Sequence, residues 1–484
     1  MYSTYGVAKS IFIKKAVIGV GPNRFPQAWD FYKSADINNT KFWNASFVGG
    51  FGWIPSFAVT TGVIGFLAWL SLLVIFLCKG FKSMFVSTID RSATFIFVSS
   101  FLCATYLWIA SVLYFTNITS VALAFLMSGL CIGSWSIKKD KNISISFMSE
   151  PRMSFFSLIA FVVLMIGVVS GGYFFIEKFA SIIYFEKAIY GQTGSQNLIV
   201  DNAEMNMIKA IELYPTDMYY RSLSQVYIGK FNNLIGQKEL SSEALKPELQ
   251  SLVANAENSG MMAVKIDGKN YLNWIALAQV YQSFISAGIQ GSYDSTVSSY
   301  EKAIALNPKN PSIYFSLAKV ELSQKNIDKA KTYVASANTL KPDYIDGLVL
   351  LGQYYENIGN PIEALNYYKQ ATIVSVSSAP AFFNLGYFYY KNGNYIDAVG
   401  DFERAVILDP INIQYRYYLG LSYNKVGQKD RALAQLEYLL VLNPGNKEIQ
   451  TMISNIQVGI SDTPTAPVQT VTAPETKTIT VKKK

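Results

Sequence analysis

Residues 57–78, 93–115, 118–137 and 155–176 are apolar on every face and contain no Asp, Glu, Lys or Arg. Each run is about 20 residues, the length a helix needs to cross a bilayer core of roughly 30 Å. A buried helix of a soluble domain keeps a polar stripe, so the pattern predicts four transmembrane helices within residues 54–178. The links carry the orientation. Lys79, Lys82 and Arg91 fall in the first link and Lys138, Lys139, Lys141 and Arg152 in the third, whereas the second is an uncharged Thr116-Asn117 turn. Basic links stay on the cytoplasmic side, which places residues 1–53 and everything after Lys178 together on the opposite side.

Beyond the apolar runs the pattern changes to small and aromatic positions recurring every 34 residues. Gly352, Gly386 and Gly420 fall in phase, as do Leu351, Leu385 and Leu419, and Ala364, Ala398 and Ala432, with Pro410 and Pro444 one period apart. This resembles the tetratricopeptide pattern of paired helices. Small residues at the Gly and Ala positions let two helices cross closely, aromatic residues fill the space between, and proline stops the second helix. No unit buries its faces alone, so the units must stack.

Further units are legible at residues 311–344 and 271–310, the latter with about six extra residues around "SAGIQGS". Upstream, "MIKAIELYP" reads as a second helix, and "YYRSLSQVY" opens a unit with a long insertion that rejoins at "MMAVKI". The expectation is an all-α chain. A solenoid of about six units fills 179–459, residues 447–458 form a closing helix, and a disordered Thr/Pro-rich tail occupies 460–484.

Composition narrows the chemistry. Among 484 residues, 51% are hydrophobic and only 15% charged, in keeping with a membrane part. The net charge of +8 lies wholly in residues 1–178, with 14 Lys/Arg against 6 Asp/Glu, since residues 179–484 hold 27 of each. Histidine is absent, which excludes His-assisted nucleophiles, His bases and His-ligated metals. Cys78, Cys103 and Cys131 lie in apolar runs and read as small hydrophobes. No metal, cofactor, catalytic residue or nucleic-acid partner is expected.

Tetratricopeptide arrays line a concave groove with positions 2, 5, 9 and 12 of each first helix. Here those positions include Phe315, Lys319, Gln353, Phe383, Tyr387, Tyr390, Tyr417 and Asn424. Arrays that clamp a carboxylate tail resemble this fold but use Lys and Asn at positions 5 and 9. Position 5 is Phe315, Val349, Phe383 and Tyr417, so the groove suits an extended peptide, or stacked sugar rings, better than an acidic tail.

The amino-terminal stretch "AVIGVGPNRFPQAW" is no nucleotide loop. Arg24 stands where a dinucleotide fingerprint needs its third glycine, and no Gly-Lys-Ser/Thr follows. Residues 3–77, through "STYGVAKSIFIKKAVIGVGPNRF", "FWNASF" and "TTGVIGFLAWL", resemble the last large external loop and following helix of the O-antigen ligase/polymerase family. Gly19, Gly21, Pro22 and Phe25 are the best markers. That resemblance implies a bacterial inner-membrane protein near lipid-diphosphate-linked glycans, with membrane lipid around it and Arg24 as the diphosphate contact. It also implies an external-loop histidine, which "GFGWIPSF" does not supply.

Two functions are therefore expected. The first is an external tetratricopeptide scaffold for a protein or glycan partner in surface-polysaccharide assembly. The alternative is the carboxy-terminal part of a glycan transferase, completed by a missing amino-terminal part.

Overall fold

The computed structural model describes residues 2–85, 91–114, 117–138, 151–191, 196–236 and 246–459. The tail expected over 460–484, Thr116, Lys139 and Lys141 lie outside the described residues. Among the described residues every regular element is helical. The chain divides into two compact units, Met1–Pro342 and Asp343–Lys484.

The first unit opens with α1 (Tyr2–Lys15), α2 (Phe25–Tyr32), a 3-10 turn (Ala35–Asn39) and α3 (Trp53–Met84). Val7, Ile11, Phe25, Trp29 and Val59 form a small core that ties α1 and α2 to the first turns of α3. The long helix is broken at Gly62, whose φ of 69° and ψ of −165° are non-helical. The segment after α1 fills the break. Val20 and Gly21 donate their N–H groups to the carbonyls of Val59 (3.0 Å) and Thr60 (2.9 Å), and Val63 and Ile64 donate theirs to Ala16 (2.8 Å) and Val17 (3.3 Å). A break in so apolar a helix is tolerated when neighbouring protein takes up the released backbone groups, as here. Residues 63–84 then run on as about 22 residues, roughly 33 Å at helical rise, enough to span a hydrocarbon core.

Three more helices are long and apolar enough to cross a membrane: α4 (Arg91–Leu113), α5 (Ile118–Lys138) and α6 (Pro151–Tyr190). Trp69 and Trp108 meet edge to face at 5.8 Å, and the Trp108 indole N–H donates to Ser128 Oγ at 3.1 Å. These contacts hold α3, α4 and α5 together. The apolar window of α6 has no buried residue, but the helix continues past its apolar part to Tyr190. There Tyr184, Phe185 and Ala188 join the core of α7 (Gln196–Leu213) and α8 (Asp217–Gly236), with Phe185 and Tyr219 rings 4.6 Å apart. One uninterrupted helix thus passes from the apolar region into the solenoid.

The solenoid continues in this unit as the pairs α8/α9 (α9, Lys246–Ile266), α10/α11 (Tyr271–Ile285, Ser292–Leu306) and α12/α13 (Pro311–Ser323, Ile327–Leu340). The second unit holds α14/α15 (Asp346–Asn357, Pro361–Val374), α16/α17 (Ala379–Lys391, Tyr395–Leu408), α18/α19 (Ile413–Lys425, Lys429–Leu442) and a last helix α20 (Lys447–Val458). Its periodic residues have the expected roles. A Cβ at Gly386 would lie 3.0 Å from the Phe402 ring, and Ala364, Ala398 and Ala432 are fully buried. Asn412 and Asn446 cap α18 and α20 by accepting from the first free backbone N–H groups.

Candidate functional site

In the second unit the groove residues form one aromatic cluster on α16 and α18. The Phe383 ring lies 4.9 Å from Tyr415, 5.6 Å from Phe402 and 6.0 Å from Tyr387, stacked on the last. Tyr418 stands edge-on to Tyr387 (5.1 Å) and Tyr390 (5.8 Å). Phe383, Tyr387 and Tyr390 are half-buried, each leaving part of its surface open. Tyr417 is different: it is only 7% exposed, and its hydroxyl donates to Glu448 Oε1 at 3.3 Å. Burial, then the Glu448 charge, pushes its phenol above the ordinary range. The hydroxyl of Tyr390 is buried with no hydrogen-bond partner among the described residues, and burial pushes it up to about 12. In the first unit Lys319 is exposed and holds its ammonium 5.3 Å from the centre of the half-buried Phe315 ring.

A groove of ≈570 Å³ opens elsewhere in the first unit, floored by Trp274, Leu277 and Tyr281 with Lys265 and Asp294 in its lining. It lies between the first helix α10 and the second helices α9 and α11, and was not foreseen from the repeat phase.

The amino-terminal segment makes a second assembly, also within the first unit. It lies across the carboxy-terminal ends of three successive second helices. Arg24 Nη1 donates to Asp267 Oδ1 (2.6 Å) just past α9, and Lys309 Nζ, past α11, donates to the Lys33 carbonyl (2.7 Å). Asn38 Nδ2 donates to the carbonyls of Lys309 (2.9 Å) and Leu340 (3.0 Å), the latter ending α13. Asn38 therefore satisfies a helix-end carbonyl that would otherwise lack a partner. Lys33, only 1% exposed, turns its ammonium to the Trp43 carbonyl at 2.9 Å, and burial lowers its pKa.

Arg24, expected from the resemblance as a diphosphate contact, is engaged within the protein in this structure. The N–H groups of Gly19, Val20, Gly21 and Arg24 are all bonded within the protein, and the Arg24 guanidinium pairs with Asp267. The sequence carried no sign of that pairing, because the two residues stand 243 apart.

Asp30 sits in the same segment, 6% exposed, accepting from Ser46 Oγ at 3.1 Å. Burial pushes its carboxyl up to about 6, against the lowering effects of Ser46 and Lys33. The unfolded carboxyl titrates near 3.8, so the folded state binds more protons between these values and loses stability as pH rises from about 4 to 6. Hydrogen-exchange protection of α2 should fall across that range and stay flat above it. In Asp30→Asn the fall should vanish, with protection at pH 7.5 exceeding that of the parent protein; an unchanged profile would assign the titration elsewhere.

Three stretches, residues 289–325, 345–372 and 379–412, match models of the tetratricopeptide repeat. The helical array is a tetratricopeptide-repeat solenoid. No curated protein matches the chain. Among solved structures, yeast Tom70 is similar at 17% identity over 81% of this chain and 72% of its own, with a TM-score of 0.40. YrrB, described as a tetratricopeptide protein with an unusual peptide-binding site, is 18% identical over 40% of this chain and 97% of its own (TM-score 0.27). Pseudomonas aeruginosa pilF is 18% identical over 49% and 99% (TM-score 0.30).

Proposed function

We propose that this protein is a membrane-anchored tetratricopeptide scaffold that holds a protein or peptide partner outside the cytoplasmic membrane of a bacterium. The observation that carries the reading is the union of four apolar helices with a tetratricopeptide solenoid through the uninterrupted α6. Hydrogen bonds between the amino-terminal segment and the solenoid support a common side for both, and the basic links support the cytoplasm as the other side. Protease added to intact spheroplasts should remove the array; an array left whole would overturn the orientation.

The concave aromatic surface is the proposed seat of the partner. An extended peptide offers apolar side chains to the half-buried rings of Phe383, Tyr387 and Tyr390 in the second unit. Phe383→Ala with Tyr387→Ala should abolish retention of the partner at a small cost in thermal stability. A loss of stability as large as that of Leu385→Ala, a 5% exposed core residue, would reduce these rings to packing.

A link to surface-polysaccharide assembly rests on the amino-terminal resemblance, with a lipid-linked glycan as a further ligand. The reading as part of a glycan transferase draws on one observation: the two most characteristic stretches, around Gly19 and Gly62, are those that exchange backbone hydrogen bonds. Transfer from a lipid-diphosphate donor by the purified chain would favour it, and inactivity together with partner capture would favour the scaffold.

A further inference from the structure

The ends of the second helices already serve as a docking edge in the first unit, where the amino-terminal segment covers those of α9, α11 and α13. Residues 263–267, Ala-Val-Lys-Ile-Asp, close α9, and residues 405–409, Ala-Val-Ile-Leu-Asp, close α17 in the second unit. The two ends also have the same local geometry. Asp267 N donates to the Ala263 carbonyl and Asp409 N to the Ala405 carbonyl, and Asn270 and Asn412 cap the helices that follow.

The acidic residue at the first of these ends holds Arg24. At the second, Asp409 accepts only a long bond from Asn412 Nδ2 at 3.4 Å, and no cationic side chain among the described residues pairs with it. Where α9 has Lys265, α17 has Ile407, 66% exposed. Ile373 and Val441 occupy the same place on α15 and α19, 72% and 78% exposed, and Ile411 beside Asp409 is 77% exposed. A row of aliphatic side chains at 34-residue spacing around one carboxylate is a surface with a defined complement.

We propose that the ends of α15, α17 and α19 form a second docking edge, separate from the concave groove, for an extended segment of a protein partner. That segment presents an Arg or Lys to Asp409, as Arg24 is presented to Asp267, and apolar side chains to Ile373, Ile407 and Val441. The second unit carries 12 Lys/Arg against 13 Asp/Glu over residues 343–484, a near-neutral balance that gives no attraction to an anionic bilayer surface, so the single carboxylate among aliphatic side chains favours a polypeptide with one basic residue.

The test places a photo-crosslinking p-benzoylphenylalanine at Ile407 of the full chain in its native membranes, with sequencing of the cross-linked product. The expected product is one polypeptide segment with a basic residue beside apolar ones. Its yield should fall about fivefold with Asp409→Lys, the size of a partly exposed charge pair. The melting temperature of Asp409→Lys should be unchanged, and Asp409→Asn should give an intermediate yield. The same crosslinker at Ile396, 81% exposed at the other end of α17, should not capture that segment.

Products confined to lipid or to a second copy of this chain overturn the proposal. So do an absence of product, a yield indifferent to Asp409, or equal capture at Ile396. A crosslinker at Tyr387 reports the concave groove separately, so either surface can fail without the other.

Discussion

Gly62→Ala should unlock the amino-terminal segment from α3. A Cβ at Gly62 would lie 2.5 Å from both Gly19 N and the Val17 carbonyl oxygen, and its φ and ψ fall where only glycine is at ease. The neighbours in the way are backbone atoms, so no side chain can swing aside. Four backbone hydrogen bonds depend on that approach. Strain of about 1–3 kcal/mol, added to the loss of about half the worth of four bonds of about 1 kcal/mol each, gives an expected loss of about 3–5 kcal/mol.

Gly19→Ala meets the mirror obstacle, with a Cβ 2.4 Å from the Val59 carbonyl oxygen, and the double variant should be no worse than either single one. Hydrogen exchange of Val20, Gly21, Val63 and Ile64 is the measurement. Gly6→Ala, which has open space around its Cβ, is the control. Retained protection at those four amides in Gly62→Ala would show that α3 breaks for another reason.

The second large effect is expected from Asn38→Ala. Its amide is fully buried and donates to two carbonyls, and removing it leaves both without a partner. The buried Asn38 Oδ1, itself unpartnered, offsets part of the loss, so the expected cost is about 2–3 kcal/mol. Arg24→Ala should cost less, about 1 kcal/mol or under, because that pair is 34% and 18% exposed and water screens it. Trypsin reports the difference: cleavage after the buried Lys33 should rise more than tenfold in Asn38→Ala and only slightly in Arg24→Ala. Equal rates in all three proteins would mean that the segment is not held by these bonds.

The repeat was legible because its determinants are local and recur. Gly386 needs a small residue against Phe402 sixteen positions later, and the same requirement returns at Gly352 and Gly420. Apolar helices are legible for a similar reason, since each run reports its own solvent. The amino-terminal assembly was not legible. Asn38 meets Leu340 across 302 residues, and nothing near either residue differs from an ordinary turn. Gly19 and Gly62 did stand out as glycines in apolar surroundings, but which backbone each approaches is a tertiary fact. The groove candidates fell between these cases: repeat phase singled out Phe383, Tyr387, Tyr390 and Tyr417 alike, and could not set the buried Tyr417 apart, because its burial depends on Glu448 and Tyr418.

The docking of the amino-terminal segment also sets an order of events during synthesis. The segment leaves the ribosome before its receptor carbonyls at Lys309 and Leu340, which follow 271 and 302 residues later. At about 5–20 residues per second, it waits roughly 15–60 s for them. Throughout that interval the Asn38 amide and the Lys33 carbonyl lack those partners, and the four apolar stretches are synthesised in between. Until the third helix pair of the solenoid emerges, the amino-terminal segment therefore lacks the helix ends that hold it in the folded protein.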